Sequence, residues 1–190
     1  MLSRRLFVSA SLAGAAALRL PAAANAEAIL TDDGLYRQPW FLESFFELAD
    51  DLEMATQKRK RLAVMWELRG CPYCKEKHLV NFADPAIENY IKDRFEILQL
   101  NIIGSRETTD FDNEKLSEKK LAEKYGIRFT PTFQFFDEHA AGIGSRQPRQ
   151  REVARAQGYL KPEHFLAMFR FVAEKGYEKG TLRDFLRANS

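Results

Sequence analysis

The chain has 190 residues and a formal net charge of +2, with 29 Lys and Arg against 27 Asp and Glu. Three of the arginines fall within residues 1–26, so the rest of the chain is close to neutral, which argues against a nucleic acid or an anionic membrane surface as partner. The length suits one domain with a well-formed core.

Residues 1–26 have the features of an export signal that is removed from the mature protein. Arg4 and Arg5 precede an Ala-rich apolar run, and Ala24-Asn25-Ala26 offers a small-x-small cleavage site. The run is shorter than the roughly 20 residues that a membrane-spanning helix needs, so we expect cleavage and a single domain over residues 27–190. Because the paired arginines resemble a twin-arginine signal, a periplasmic location is predicted, where disulfides persist.

Residues 27–39 have a weak pattern, and the first regular element follows them. Apolar side chains recur there at helical spacing and predict an amphipathic helix that ends near residue 57, with its aromatic side chains in the core. These side chains are Phe41, Leu42, Phe45, Phe46, Ala49 and Leu52. The short apolar run 61–68 then predicts a buried strand.

This strand leads into Cys71-Pro72-Tyr73-Cys74, which contains the only two cysteines of the sequence. Pro72 suits the first position of a helix, where an N–H has no partner, so Cys71 is predicted at a strand-to-helix junction. Unpaired N–H groups and the helix dipole stabilise a thiolate there, which makes Cys71 the expected nucleophile. Cys74, about one turn further on, can attack a mixed disulfide on Cys71. The pair predicts a two-electron redox centre that requires no metal or organic cofactor.

Two other uses of the cysteines stay open at this point. The first is a structural disulfide, although a bridge across two intervening residues constrains little of the unfolded chain. The second is a metal site with Cys74 and His78 at i, i+4, although zinc usually takes four ligands and the sequence has no second cysteine pair. Covalent haem attachment is excluded because Lys75, not His, follows the second cysteine.

The rest of the chain alternates helices and strands. Pro85 and Ser117 are predicted at helix starts, and Gly126 and Gly176 at helix ends. The predicted helices are 85–94, 117–125, 161–176 and 181–188, and the predicted strands are 95–101, 131–136 and 151–157. The apolar content of 95–101 suits the middle of a sheet, whereas the charges of 151–157 suit an edge.

In this order of elements, the motifs resemble the thioredoxin superfamily. They are the strand before Cys-X-X-Cys, Lys124-Tyr125-Gly126-Ile127-Arg128, Thr130-Pro131-Thr132 entering a strand, and Gly158 before a last long helix. The resemblance implies an α/β thioredoxin-like fold, with a central mixed sheet flanked by helices and an insertion after the central strand. It also implies a cis peptide bond before Pro131, and a partner-binding groove made by Pro72, Tyr73, Thr130, Pro131, Gly158 and Tyr159.

A narrower resemblance is to the SoxW-type thioredoxins of bacterial sulfur oxidation. It rests on the segments 70–78, 81–87, 99–101, 109–112 and 129–132. It implies a periplasmic thiol-disulfide oxidoreductase that acts on protein disulfides or on thiol-bound sulfur species of that pathway, including those of sulfur-oxidation carrier proteins, and we expect it to act as a reductant. A membrane carrier of thiol electrons would then be its donor. A disulfide-introducing oxidase and, outside the enzymes, a thiol-dependent chaperone for a metal or a client remain alternatives.

Two positions depart from ordinary thioredoxins. Met65 stands where thioredoxins carry a buried acid that relays a proton, and Gly70 stands where they carry a Trp. Glu67 is expected on the same strand face as Met65 and nearer the sulfurs, so it is the candidate for the proton transfer. In the alternative, Glu67 pairs with Arg69 at the rim and has no catalytic part.

Residues 102–116 form a polar connection that is long for a strand-to-helix link, where two to six residues are usual. Loops at the carboxyl ends of parallel strands gather on one side of a sheet, so this segment is expected to overlook the sulfurs and to recognise a partner. Its charged side chains could select a charged partner surface, the alternative being a solvated insertion. They are Arg106, Glu107, Asp110, Asp112 and Glu114.

Overall fold

The computed structural model describes residues 27–139 and 141–188, and the predicted export signal lies outside these ranges. The strands are β1 (Ile29–Leu30), β2 (Tyr36–Arg37), β3 (Arg61–Glu67), β4 (Phe95–Asn101), β5 (Glu107–Thr109), β6 (Lys115–Ser117), β7 (Thr132–Phe136) and β8 (Glu152–Gln157). The helices are α1 (Leu48–Gln57), α2 (Pro72–Glu76), α3 (Pro85–Arg94), α4 (Glu118–Lys124), α5 (Pro162–Ala173) and α6 (Leu182–Ala188). A π-helical turn, Lys77–Asn81, continues α2.

The central sheet has the strand order β4-β3-β7-β8. β3 runs parallel to β4 and antiparallel to β7, which in turn runs antiparallel to β8. Because side chains alternate along a strand, β4 sends Phe95 and Ile97 to one apolar core and Leu98 and Leu100 to another. Helices α3 and α5 cover the first core, and α1 and α4 cover the second. The predicted α/β fold with a central mixed sheet is confirmed.

The position of β4 differs from the prediction. It lies at one edge of the four-stranded sheet, so the insertion that follows it leaves an edge strand and not a central one. Both faces of β4 are buried, so its sequence is as apolar as that of an interior strand. Apolar content indicates that the faces of a strand are covered, but it does not indicate whether a neighbouring strand pairs with each edge. The backbone N–H of Leu42 donates to the carbonyl of Ile97 over 2.9 Å and occupies part of this edge. The edge assignment of β8 is confirmed.

The first predicted helix begins later than expected, at Leu48, and the aromatic pattern before it is not helical. Phe46 has a φ of +63°, a left-handed conformation that interrupts a helix, and its carbonyl accepts a hydrogen bond from the N–H of Thr109 over 2.8 Å. Phe41 is buried as predicted, but Phe45 is 94% exposed, so its assignment to the core was wrong. The hydrogen bond to Thr109, which is distant in the sequence, therefore determines the backbone conformation of this segment more than its apolar spacing does.

The segment 102–116 contains an antiparallel hairpin, β5–β6, and its charged side chains are paired within the domain. Arg106 binds Glu118, and Glu107 binds Lys115. The three acidic side chains that follow also have internal partners, in Lys124 or Arg151 or both: Asp110, Asp112 and Glu114. Recognition of a charged partner by this segment stays an untested prediction, and these ion pairs account for its charges without one.

Candidate active site

A disulfide joins Cys71 and Cys74, whose Cα atoms are 5.3 Å apart. Cys71 is the N-cap of α2, Pro72 begins the helix as predicted, and the N–H of Cys74 donates to Cys71 Sγ over 3.2 Å. Cys71 is partly exposed, whereas Cys74 is buried. The sulfur at the helix start is therefore the one that another molecule can reach. Gly70 has a φ of +78°, a conformation that a Trp would adopt only with strain.

A cis peptide bond joins Thr130 and Pro131, as the resemblance implied. The carbonyl oxygen of Thr130 lies 3.7 Å from Cys71 Sγ. On the other side, the carbonyl of Pro131 accepts a hydrogen bond from the N–H of Gly158 over 2.8 Å. These contacts place the connection before β7 and the end of β8 beside the disulfide.

A groove of about 620 Å³ adjoins this arrangement, and all of its lining residues are uncharged. They are Tyr73, Phe129, Thr130, Gln157, Gly158 and Tyr159. The structure thus brings four of the six predicted groove residues together, while Pro72 and Pro131 neighbour lining residues without lining the groove themselves. Phe129, which is 62% exposed, was not predicted. A large apolar residue directly before Thr130-Pro131 was the signal that could have indicated it.

Lys77, in the helical turn that continues α2, contacts residues that form one wall of the groove or adjoin it. Its ammonium group is buried, donates to the carbonyl of Leu160 over 3.0 Å and lies 4.5 Å from the ring centre of Tyr159. Burial lowers the pKa of Lys77 to about 7, against the opposing effect of the Glu76 carboxylate. Tyr159 in turn stacks on Tyr73 with ring centres 6.0 Å apart. One wall of the groove is therefore held by a side chain of the active-site helix.

Glu67 lies at the end of β3 and is buried, on the strand face that it shares with Met65 as predicted. Both carboxylate oxygens are 3.1 Å from Nε2 of His78, and the side-chain amide of Gln99 also donates to Glu67. The alternative in which Glu67 pairs with Arg69 at the rim is wrong, because the carboxylate points into the protein. The Glu67 carboxyl group instead lies beneath the active-site helix, where the His78 ring and the Gln99 side-chain amide contact it.

His78 was predicted only as a possible metal ligand, and the structure gives its ring other partners. Nε2 contacts Glu67, while Nδ1 lies 3.3 Å from the side-chain nitrogen of Gln38. Among residues 27–139 and 141–188, no cluster of three or more His, Cys, Asp or Glu side chains is arranged to hold a metal ion. The roles of Gln38, His78 and Gln99 were missed, although a Glu inside an apolar strand and a His one turn after Cys74 were visible signals.

The mixed sheet, the disulfide at a helix start and the cis proline beside it define a protein of the thioredoxin fold. Residues 48–173 match the family described as Thioredoxin-like domain, and the chain belongs to this family.

Solved structures share the fold. A thioredoxin-fold protein from Helicobacter pylori is 22% identical, with a TM-score of 0.56 over 68% of this chain and 84% of that one. A thioredoxin from Thermus thermophilus is 24% identical, with a TM-score of 0.52 over 69% of this chain and 87% of that one. No curated protein matches the sequence. In the described part of the chain, no helix has the length and apolar character to cross a membrane.

Proposed function

We propose that the protein is a thiol-disulfide oxidoreductase that exchanges electrons with disulfides of other proteins. The observation that carries the proposal is the accessible Cys71, which caps α2 and is joined to a buried Cys74 beside an uncharged groove. The carbonyl of Thr130 next to Cys71 Sγ supports an extended partner segment as the substrate. Such a segment can pair with the backbone beside the cis proline while its cysteine meets Cys71.

In the reducing direction, the exchange has two steps. The Cys71 thiolate attacks a partner disulfide, so that one partner sulfur leaves as a thiolate and the other becomes bonded to Cys71. Cys74 then loses its proton, attacks Cys71 Sγ and releases the second partner thiolate. The partner gains two electrons, and the protein ends as the Cys71–Cys74 disulfide.

Glu67 is the proposed acceptor of the Cys74 proton. The carboxylate is buried at the end of β3, and its partner His78 lies one turn after Cys74 on the same helix. A base in this place makes the buried thiol a nucleophile when the mixed disulfide forms. Glu67 thereby takes the part that the resemblance assigns to an acid at the position of Met65.

The proposed setting is the bacterial periplasm, with the protein acting as a reductant in sulfur oxidation or related thiol metabolism. Support comes from the twin-arginine-type segment in residues 1–26 and from the SoxW-type motifs. Protein disulfides, including those of sulfur-oxidation carriers, would be the substrates. With two cysteines in the chain, reduction of the disulfide requires another protein, for which a membrane thiol-electron carrier is proposed.

Turnover and redox titration test this function together. Wild type should catalyse reduction of insulin disulfides by dithiothreitol, and Cys71→Ser and Cys74→Ser should each abolish it. Pro72-Tyr73 is the dipeptide seen in glutaredoxins, at roughly −200 to −230 mV, so the potential should lie above the thioredoxin value of about −270 mV.

Three results would contradict parts of the proposal. A folded wild type without reductase activity would contradict the enzyme assignment. A potential near −120 mV, the value of a strong oxidant, would favour the oxidase. Stoichiometric metal bound through the two cysteines would favour the chaperone.

A further inference from the structure

The segment before α1 reaches under the active-site helix through Gln38. The side-chain nitrogen of Gln38 donates to the backbone carbonyl of His78 over 3.1 Å, and it lies 3.3 Å from His78 Nδ1. A carbonyl only accepts hydrogen bonds, so this contact requires the amide nitrogen, and not the amide oxygen, to face His78. Both groups are buried, so water does not compete for them.

This orientation determines where the imidazole carries its proton. The amide nitrogen facing Nδ1 has only hydrogens to offer, so Nδ1 must accept and cannot be protonated. The remaining proton is then on Nε2, which points at both carboxylate oxygens of Glu67. His78 is therefore neutral and donates to Glu67.

On the other side of Glu67, hydrogen bonds fix the orientation of a second side-chain amide, that of Gln99. The side-chain nitrogen of Gln99 donates to the carbonyl of Tyr36 over 2.6 Å, which fixes its amide orientation, and it also donates to Glu67. With donors on both sides, the carboxyl group has no acceptor for a proton of its own and is satisfied as a carboxylate. Tyr36 and Gln38 thus anchor both ends of one chain of hydrogen bonds.

We propose that Gln38 is a positioning residue that holds His78 as the neutral Nε2–H tautomer, so that the pair of Glu67 and His78, whose histidine lies one turn after Cys74, carries one negative charge. An imidazolium in place of the neutral ring would neutralise the pair and make Glu67 a weaker proton acceptor. The tautomer of His78 is assigned from these hydrogen bonds alone. Its effect on the release of the partner rests on the proposed thiol-disulfide exchange.

Histidine nitrogen NMR tests the tautomer in the oxidised protein at pH 7. The protein is labelled with ¹⁵N, and His78 is assigned with His139→Gln and His164→Gln, both exposed positions. Wild type should give the pattern of a neutral imidazole with the proton on Nε2. Gln38→Glu places an acceptor at Nδ1 and should convert His78 to the imidazolium, whereas Gln38→Met should release the fixed tautomer. Gln150→Glu, the same change at an exposed position, should leave the pattern unchanged.

A rate measurement then connects the tautomer to the chemistry. In Gln38→Glu, release of the partner from the mixed disulfide should slow by about tenfold, below the 10²–10⁴ that a whole general base contributes, while the first attack by Cys71 keeps its rate. An imidazolium or an Nδ1–H pattern in wild type overturns the proposal, as does an unchanged pattern in both folded Gln38 variants. An unchanged release rate in a Gln38→Glu protein whose His78 has become an imidazolium overturns the catalytic consequence. Absence of any mixed disulfide in every variant would refute the proposed function and leave the NMR result standing.

Discussion

The buried side of the active-site helix carries polar side chains where most helices bury apolar ones. Lys77 and His78 are both inaccessible to solvent, and each has a specific partner from another part of the chain. The ring centre of Phe165 lies 4.2 Å from the Lys77 ammonium, which also contacts the ring of Tyr159. These contacts replace part of the lost hydration, but desolvation still disfavours the charged form of Lys77.

The lowered pKa of Lys77 has a consequence for stability that can be measured. Because the pKa is about 7 in the folded protein and near 10.5 in the unfolded chain, the unfolded chain binds more protons between these values. Stability should therefore rise with pH in that window, by roughly 2 kcal/mol between pH 7 and 9. Lys77→Met should remove this rise in urea unfolding, whereas Lys120→Met, at an exposed position, should retain it. The same pH dependence in Lys77→Met and wild type would contradict the explanation.

At the scale of elements, the β5–β6 hairpin is held to the rest of the domain by a buried ion pair. Arg151 contacts Asp110 over 2.7 Å, both side chains are almost fully buried, and the Tyr125 hydroxyl donates to Asp110 over 2.8 Å. Arg151 also contacts the exposed Asp112 over 2.8 Å. Residues from the hairpin, the end of α4 and the turn before β8 thus share one network. This network stabilises the insertion whether or not a partner binds there.

Replacing the arginine of this network should be costly. Arg151→Met removes one of the two cations that contact the buried Asp110 and leaves Lys124, whose Nζ lies 2.5 Å from the Asp110 carboxylate. The loss of stability should therefore fall at or somewhat below the 3–5 kcal/mol that breaking a buried ion pair typically costs. Lys115→Met removes the exposed pair with Glu107 and should cost at most about 1 kcal/mol. Urea unfolding of the two variants at pH 7 makes the comparison. A loss below 1 kcal/mol for Arg151→Met would show that Asp110 finds its compensation elsewhere.

The elements that local rules specify were predicted well, and those that distant contacts decide were not. Pro72 and Pro85 mark helix starts and Ser117 caps α4 as expected, because these effects act within one turn. The start of α1 and the hairpin were missed because the carbonyl of Phe46 pairs with β5, a contact that hydrophobic spacing does not encode. The cysteines could be identified from their motif alone, whereas Gln38 lies in residues 27–39, whose sequence shows no clear helix or strand pattern.

For the whole molecule, the fold concentrates its chemistry at one end of the sheet. β3 ends at Glu67 and leads into the cysteine pair, β7 begins directly after the cis proline, and β8 ends directly before Gly158. The segment before α1 closes the underside of this site through Gln38, so residues outside the matched family region 48–173 contribute to it. The site therefore forms only when these segments come together in the folded domain. The accessible sulfur of Cys71 then adjoins the groove, and Glu67, the proposed proton acceptor, is buried.

The proposed exchange mechanism is tested most directly by identifying which cysteine forms the covalent bond to a partner protein. Reduced Cys74→Ser protein is mixed with a disulfide-containing protein, quenched in acid and analysed by mass spectrometry. If Cys71 is the nucleophile, a mixed disulfide forms at Cys71 and persists because the resolving thiol is absent, and Cys71→Ser gives no adduct. Adducts that form on Cys74 in Cys71→Ser, with none on Cys71 in Cys74→Ser, would contradict this mechanism.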